Sequence, residues 1–135
     1  MSGAVAIATA WQRPAARRKH LEDDLQRAVM QFLDLALPPD GVAFAVPNGG
    51  KRHAREAARM RGMGVKAGIP DIAICLRGRA LFIELKAKRG IQSVAQREMQ
   101  QKLEYCGAVV CLARSVEEVE AALRRWAVPL RARAA

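Results

Sequence analysis

Apolar residues recur at every third or fourth position along three stretches of the chain, the spacing that gathers them on one face of an α-helix. These stretches predict helices over residues 21–37, 92–105 and 115–126. Pro38 and Pro39 end the first helix, because their rings cannot continue it. Ser93 and Ser115 stand where N-cap residues belong, and Glu118 has the capping-box spacing from Ser115. The chain is therefore expected to contain three amphipathic helices.

Four shorter runs are rich in β-branched and other apolar residues, which predicts strands. The runs cover residues 42–46, 72–76, 81–87 and 108–113. Arg77-Gly78-Arg79 between the second and third runs predicts a tight hairpin. An Ala- and Arg-rich stretch over residues 53–62 predicts a short basic helix, and Gly107 is expected to end the helix before the last strand.

The hairpin register brings three charged residues to one face of the sheet. A two-residue loop at Arg77-Gly78 places Asp71 directly opposite Glu84, with their Cβ atoms about 4.5–5.5 Å apart. Because strand side chains alternate, Lys86 falls on the same face as Glu84. Two carboxylates at that spacing repel each other unless a cation lies between them, and oxygen ligands favour Mg²⁺ or Mn²⁺.

Two carboxylates, a metal and an ammonium group suit phosphodiester hydrolysis. The metal would lower the pKa of a bound water, and Lys86 would orient that water or neutralise a phosphate oxygen. The alternative is that Asp71 only opens a turn after Pro70, while Glu84 and Lys86 are ordinary surface charges on an edge strand.

The composition favours a polyanionic partner. The 135 residues suit one domain and carry 23 Lys and Arg against 13 Asp and Glu, a net charge of +10. A basic composition alone can also reflect solubility, but six basic residues cluster between Lys51 and Lys66. Aromatic residues make up only 4%, so DNA would be bound mainly through its phosphates.

The cysteines and the hydropathy of the chain exclude several classes of protein. Cys75, Cys106 and Cys111 are odd in number and lack CxxC spacing, which argues against a zinc knuckle or a disulfide framework and favours the cytoplasm. Cys75 and Cys111 stand in apolar runs and are expected to be buried. His20 and His53 match no metal-ligand spacing. No run approaches the roughly 20 apolar residues that span a bilayer, so no membrane partner is expected.

Six segments, in order along the chain, resemble the VRR-NUC domain family of the PD-(D/E)xK nuclease superfamily. They are Glu22 and Gln26, Pro47-Asn48-Gly49-Gly50, residues 64–71 (GVKAGIPD), residues 82–86 (FIELK), residues 93–96 (SVAQ) and residues 107–110 (GAVV). The likeness runs from about Leu21 to Trp126. It implies a restriction-endonuclease-like αβββαβ core, an α/β fold with a central mixed sheet flanked by helices, over residues 20–127. Residues 1–19 and 128–135 are expected to be a flexible basic arm and a basic tail.

The resemblance also assigns the centre of the site. Asp71, Glu84 and the backbone carbonyl of Leu85 would hold the Mg²⁺ or Mn²⁺ cofactor, and Lys86 would be catalytic.

Two residues on the helices have alternative interpretations. Glu22 would approach the metal through a water molecule, or it would only favour the dipole of its helix. Gln96 would border the site, or it would face solvent. Many relatives have an aromatic residue three or four positions after this glutamine, whereas this chain has Met99 and Gln100.

The segment before the hairpin would contact DNA. Its glycine pair lets backbone N–H groups approach a phosphate closely. The predicted contact residues are Asn48, Gly49, Gly50, Lys51, Arg52, Arg55, Arg59 and Lys66.

The leading hypothesis is a divalent-metal-dependent endodeoxyribonuclease that cuts branched DNA, such as Holliday-junction-like four-way junctions, in a phage or in DNA repair or recombination. Similar stand-alone domains suggest a homodimer, since symmetric cutting of two strands needs two sites related by a two-fold axis. The alternatives are a catalytically silent basic DNA-binding module of a phage or repair complex, and a plain nucleic-acid chaperone. The acid pair and the lysine favour the nuclease, because a binding protein has no reason to set two carboxylates against a phosphate backbone.

Overall fold

Four helices and four strands follow one another in the described part of the chain, in the order that the sequence pattern predicts. The computed structural model describes residues 15–47 and 54–135, with side chains from residue 21 onward. The elements are α1 (Ala15–Ala36), β1 (Gly41–Ala45), α2 (Ala54–Gly62), β2 (Ile72–Leu76), β3 (Arg79–Leu85), α3 (Val94–Tyr105), β4 (Val109–Ala113) and α4 (Val116–Arg125). Each predicted helix and strand is present, and its bounds lie within two residues of those expected, except that α1 begins at Ala15 rather than at residue 21.

The strands form one sheet in the order β1-β2-β3-β4. β1, β2 and β3 are antiparallel neighbours, whereas β4 runs parallel to β3. A parallel pair requires a crossover connection, and α3 provides it between β3 and β4. The predicted mixed sheet with flanking helices is therefore confirmed.

The β2–β3 hairpin has the predicted register. Leu76 pairs with Arg79, and the loop consists of Arg77 and Gly78. Both loop residues have positive φ, 51° and 78°, as a type I′ turn requires. Arginine is not a favoured residue there, and its side chain forms an ion pair with Asp40, with 2.6 Å between Nε and Oδ2.

One face of the sheet packs against α1 and α4, and the apolar core lies between these layers. The largest fully buried apolar side chains are Ile72, Ile74, Leu81 and Ile83 from the sheet, Leu33 from α1 and Leu123 from α4. Because strand side chains alternate, Glu84 follows Ile83 and points to the opposite face of β3. The sheet thus separates the core from the face that carries the charged residues.

At both ends, the described residues continue the fold beyond the expected domain bounds of 20–127. α1 begins at Ala15, inside the stretch expected to be a flexible arm, and residues 1–14 lie outside the described residues. The C-terminal segment packs against the domain: Val128 is only 4% exposed, and the Arg131 backbone N–H donates to the carbonyl of Ala36 at 2.8 Å. Alternate residues from Val128 onward are apolar, so one side of this extended segment adds to the core.

Two further expectations concern the burial of the cysteines and the cap of the last helix. Cys111 is buried as predicted, but the prediction for Cys75 is wrong, because this side chain lies on the non-core face of β2 and is exposed. Ser115 accepts a hydrogen bond from the Glu118 backbone N–H, as an N-cap does. The Glu118 carboxylate, however, accepts from the backbone of Arg114 rather than completing a capping box. Among the described helices none is long and apolar enough to cross a membrane.

Candidate active site

The carboxyl groups of Asp71 and Glu84 lie together on the non-core face of the β2–β3 hairpin. Ile72 pairs with Ile83, so Asp71, one residue earlier, stands opposite Glu84. The Leu85 backbone N–H donates to Oδ2 of Asp71 at 2.7 Å, which holds the aspartate against β3. Glu84 is only 2% exposed. The spatial arrangement predicted from the hairpin register is therefore present.

Glu84 is in an unfavourable environment for a negative charge. Burial, followed by the charge of the nearby Asp71 carboxylate, raises the pKa of Glu84 from 4.5 to about 8. A hydrogen bond with Asp71 and the charge of Glu22 act in the same direction, while Lys86 acts in the opposite one. Without a cation, the Glu84 carboxyl group therefore keeps its proton at neutral pH.

Gln96 connects α3 to this carboxyl group. Its Nε2 donates to Oε1 of Glu84 at 2.7 Å, and its Oε1 accepts from the Ser93 backbone N–H at 2.9 Å. Ser93 Oγ accepts from the Gln96 backbone N–H at 3.1 Å, so the two residues form a reciprocal capping box. The N-terminus of α3 thus fixes the Gln96 side chain, which contacts Glu84 instead of facing only solvent.

A close backbone contact at Gly68 joins the loop before Asp71 to the same end of α3. A Cβ atom on Gly68 would lie 2.2 Å from the carbonyl oxygen of Ala95 and 2.7 Å from the nitrogen of Gln96. Gly68 also has a φ of 76°, which side chains disfavour. Only glycine fits this position, so the loop that delivers Asp71 packs directly on the turn that holds Gln96.

The backbone carbonyl of Leu85 is oriented toward the site by the strand geometry. The N–H and C=O of one strand residue point to the same side, and the Leu85 N–H points to Asp71. Continuing the hairpin register places Pro70 opposite Leu85. Because proline has no backbone N–H, Pro70 cannot donate a ladder hydrogen bond to the Leu85 carbonyl.

Lys86 and Glu22 complete the charged surroundings of Glu84. The Lys86 backbone N–H donates to the Ala113 carbonyl at 3.0 Å, so the backbone at Lys86 is tied to the end of β4. The Lys86 side chain is half-buried and opposes the rise in the Glu84 pKa, whereas Glu22 on α1 adds to it. Four other predicted site residues therefore lie close enough to Glu84 to contact it or to affect its charge; they are Asp71, Lys86, Gln96 and Glu22.

The donor atoms at this place fit a hard divalent cation. Within residues 15–47 and 54–135, no three His, Cys, Asp or Glu side chains are close enough to form a metal site by themselves. Mg²⁺ is commonly bound through only one or two carboxylates and retains several waters. Asp71, Glu84 and the Leu85 carbonyl supply such a set, and a cation there would relieve the repulsion that raises the Glu84 pKa.

Of the predicted DNA contacts, the structure describes Arg55, Arg59 and Lys66. Arg55 and Lys66 are exposed, and α2 contributes no buried side chain. Arg59 forms an ion pair with Glu56, with 2.9 Å between NH2 and Oε1. The predicted contacts Asn48, Gly49, Gly50, Lys51 and Arg52, together with His53, lie outside the described residues.

Sequence reasoning missed the functions of Gly68 and Arg114. Gly68 stands in the segment that carries the resemblance, but a glycine there does not reveal which backbone it approaches. The Arg114 guanidinium donates to the carbonyls of Ala87 and Gly90, which are 27 and 24 residues away along the chain. Such distant contacts leave no local pattern in the sequence.

A mixed sheet with facing acids on its hairpin and a lysine two residues further on defines a restriction-endonuclease-like α/β domain. A solved structure described as a VRR_NUC domain protein is 25% identical in sequence, with a TM-score of 0.59 over 78% of this chain and 86% of that chain. A second, described as a VRR_NUC domain, is 19% identical, with a TM-score of 0.53 over 78% of this chain and 97% of that chain. No protein-family model and no curated protein sequence matches the chain. The predicted resemblance is confirmed: the chain has the fold of VRR-NUC domains, a nuclease-type domain.

Proposed function

We propose that this protein is a Mg²⁺- or Mn²⁺-dependent endodeoxyribonuclease. The observation that carries the proposal is the pairing of Asp71 with a buried Glu84 on the hairpin, next to the amine of Lys86. The net charge of +10 suits a polyanionic substrate, and the fold is that of a nuclease-type domain.

Each residue at the site has a distinct part in the proposed reaction. Asp71, Glu84 and the Leu85 carbonyl bind the cation, which, when bound, offsets the negative charge that develops on the phosphate during hydrolysis. The Lys86 ammonium group neutralises a phosphate oxygen. Its charge acts on Glu84, so it lies near the carboxylates that bind the cation. Gln96 holds the Glu84 carboxyl group in its orientation through the 2.7 Å hydrogen bond.

The substrate class and the oligomeric state belong to the same proposal. Branched DNA presents two strands that must be cut symmetrically, and one chain offers one acid pair. A homodimer supplies two sites related by a two-fold axis, which matches the symmetry of a four-way junction. A mass in solution twice that of the chain, together with paired cuts in a junction, is the expected result.

Glu84→Gln tests the proposal most directly. Glutamine keeps the shape of the side chain and an oxygen that accepts from Gln96, but it removes the charge that binds the cation. We expect cleavage of linear, flap and four-way-junction DNA in Mg²⁺ or Mn²⁺ to fall at least ~10³-fold. Glu117→Gln, on the exposed side of α4, is the matched control and should cut like wild type.

Further measurements separate metal binding from chemistry. Mn²⁺ should raise the melting temperature of the wild type but not that of Glu84→Gln, since only a bound ligand stabilises the fold. Lys86→Ala should retain this stabilisation while losing cleavage. Cutting that continues in EDTA, or full activity in Asp71→Ala, contradicts the proposal. DNA binding without cutting in any metal would instead identify a silent binding module.

A further inference from the structure

A β-turn over residues 87–90 directly follows the strand that carries Glu84 and Lys86. The Gly90 backbone N–H donates to the Ala87 carbonyl at 2.9 Å, which closes the turn. Lys88 and Arg89 occupy its two corner positions and both are exposed. The turn therefore presents two adjacent cations beside the candidate active site.

Two hydrogen bonds from one arginine hold this turn in place. The Arg114 guanidinium, at the end of β4, donates through NH1 to the carbonyls of Ala87 and Gly90, each at 2.7 Å. A Cβ atom on Gly90 would lie 3.4 Å from Cδ of Lys86, so the turn folds back against the stem of the lysine. A half-buried arginine thus positions the turn that carries the two exposed cations.

Lys88 and Arg89 differ from several other basic residues of the described surface, which form ion pairs with acids. Four other arginines are each paired with an acid; the pairs are Arg27–Asp24, Arg59–Glu56, Arg77–Asp40 and Arg124–Glu120. In the described part of the chain neither Lys88 nor Arg89 has an acidic partner. Their positive charges are therefore available to a ligand from outside the domain.

We propose that Lys88 and Arg89 form a phosphate-binding turn that contacts the nucleic-acid backbone next to the phosphate at the active site. The Cα of Lys88 lies within about 7 Å of the Cα of Lys86, because two residues span no more than that. Along one strand of DNA a phosphate recurs roughly every 3.4 Å of helix axis, so the turn reaches a neighbouring phosphate. This proposal rests on the proposed function, which identifies the phosphate at the active site. Arg114 is the positioning residue of the turn.

DNA binding in Ca²⁺ or EDTA tests the turn without requiring turnover. The variant is Lys88→Ala/Arg89→Ala, and the control is Lys102→Ala/Arg133→Ala, which removes two exposed charges elsewhere. For duplex DNA at 0.1 M salt we expect the first variant to bind about 10- to 60-fold more weakly. The slope of log affinity against log salt should also become shallower by ~1.8, because two counterion-releasing contacts are lost. The control should change neither quantity by as much.

Arg114→Met tests the positioning role. It leaves Lys88 and Arg89 in the chain but removes the donors to both carbonyls, so affinity should fall toward that of the double variant. Equal losses in the double variant and its control, or an unchanged salt slope, overturn the phosphate-binding turn. The proposed nuclease activity is judged separately, by metal-dependent cutting in the wild type. Cutting with no binding defect in the double variant rejects the turn alone, whereas a binding defect without any cutting rejects the nuclease alone.

Discussion

Ile83 and Glu84 are neighbours on β3 and are almost equally buried, at 0% and 2% exposure, yet the two faces of the strand have different functions. Ile83 points into the apolar core between the sheet, α1 and α4. Glu84 points to the other face, where it meets Asp71 and Gln96. The core face gains stability from each buried atom, whereas the site face buries a carboxyl group at a cost. Burial alone therefore does not tell which residues stabilise this protein.

The pH dependence of stability is the strongest test of this difference. Folding raises the Glu84 pKa from 4.5 to about 8, so the folded state holds the proton more tightly than the unfolded state. The stability that this gives is complete below pH 4.5 and is lost as the pH rises toward 8. In EDTA we expect wild type to lose on the order of 4 kcal/mol over this range by chemical denaturation. Glu84→Gln should lose much less, and parallel pH profiles of the two proteins would contradict the unfavourable burial of Glu84.

Ile83→Ala tests the core face of the same strand. It removes a fully buried side chain from well-packed surroundings, and we expect the free energy of unfolding to fall by about 3 kcal/mol. The loss should be the same at about pH 5 and about pH 8, because no titrating group is removed. Cleavage should persist wherever the variant remains folded. A cost below ~1 kcal/mol would mean that the two faces are less different than the burial indicates.

Gly68→Ala tests how the site face is assembled. The new methyl group would meet the Ala95 carbonyl at 2.2 Å and force the loop away from α3. Gly64→Ala is the matched control, since Gly64 has a φ of 102° but a methyl group added there would meet no atom within 4 Å. We expect Gly68→Ala to cost about 2–3 kcal/mol and the control about 1 kcal/mol by denaturant titration. Cleavage should fall further in Gly68→Ala, because Asp71 moves relative to Gln96. Equal effects of the two variants would show that the close contact at Gly68 does not position the site.

Arg131→Met gives the smallest expected effect and concerns the C-terminal segment on the core side. Arg131 Nε donates to the Leu37 carbonyl at 2.7 Å, just beyond the end of α1. Methionine retains much of the apolar stem but not the donor, and we expect a loss of about 1 kcal/mol. Arg133→Met, two residues away, has no such contact among the described residues and should be neutral. Similar stability of the two variants would mean that the segment is held by its apolar side chains alone.

The local pattern of the sequence was sufficient to predict the elements, the hairpin register and the facing of Asp71 and Glu84. Side-chain alternation has a period of two and the Arg77-Gly78 loop has two residues, so a single register satisfies both. The Ser93 cap was predictable because its partner Gln96 lies within one helical turn. These features depend on neighbours close along the chain.

Only the tertiary structure decided which distant groups meet around that hairpin. The fit of Gly68 on α3, the contact of Arg114 with the turn after Lys86 and the packing of the C-terminal segment join residues that are far apart in sequence. The exposure of Cys75 has the same origin: an apolar run predicts burial, but whether a helix covers that face depends on where the helices lie. Periodicity determines which side of an element is apolar, whereas the relative placement of elements arises from the packing of the whole core.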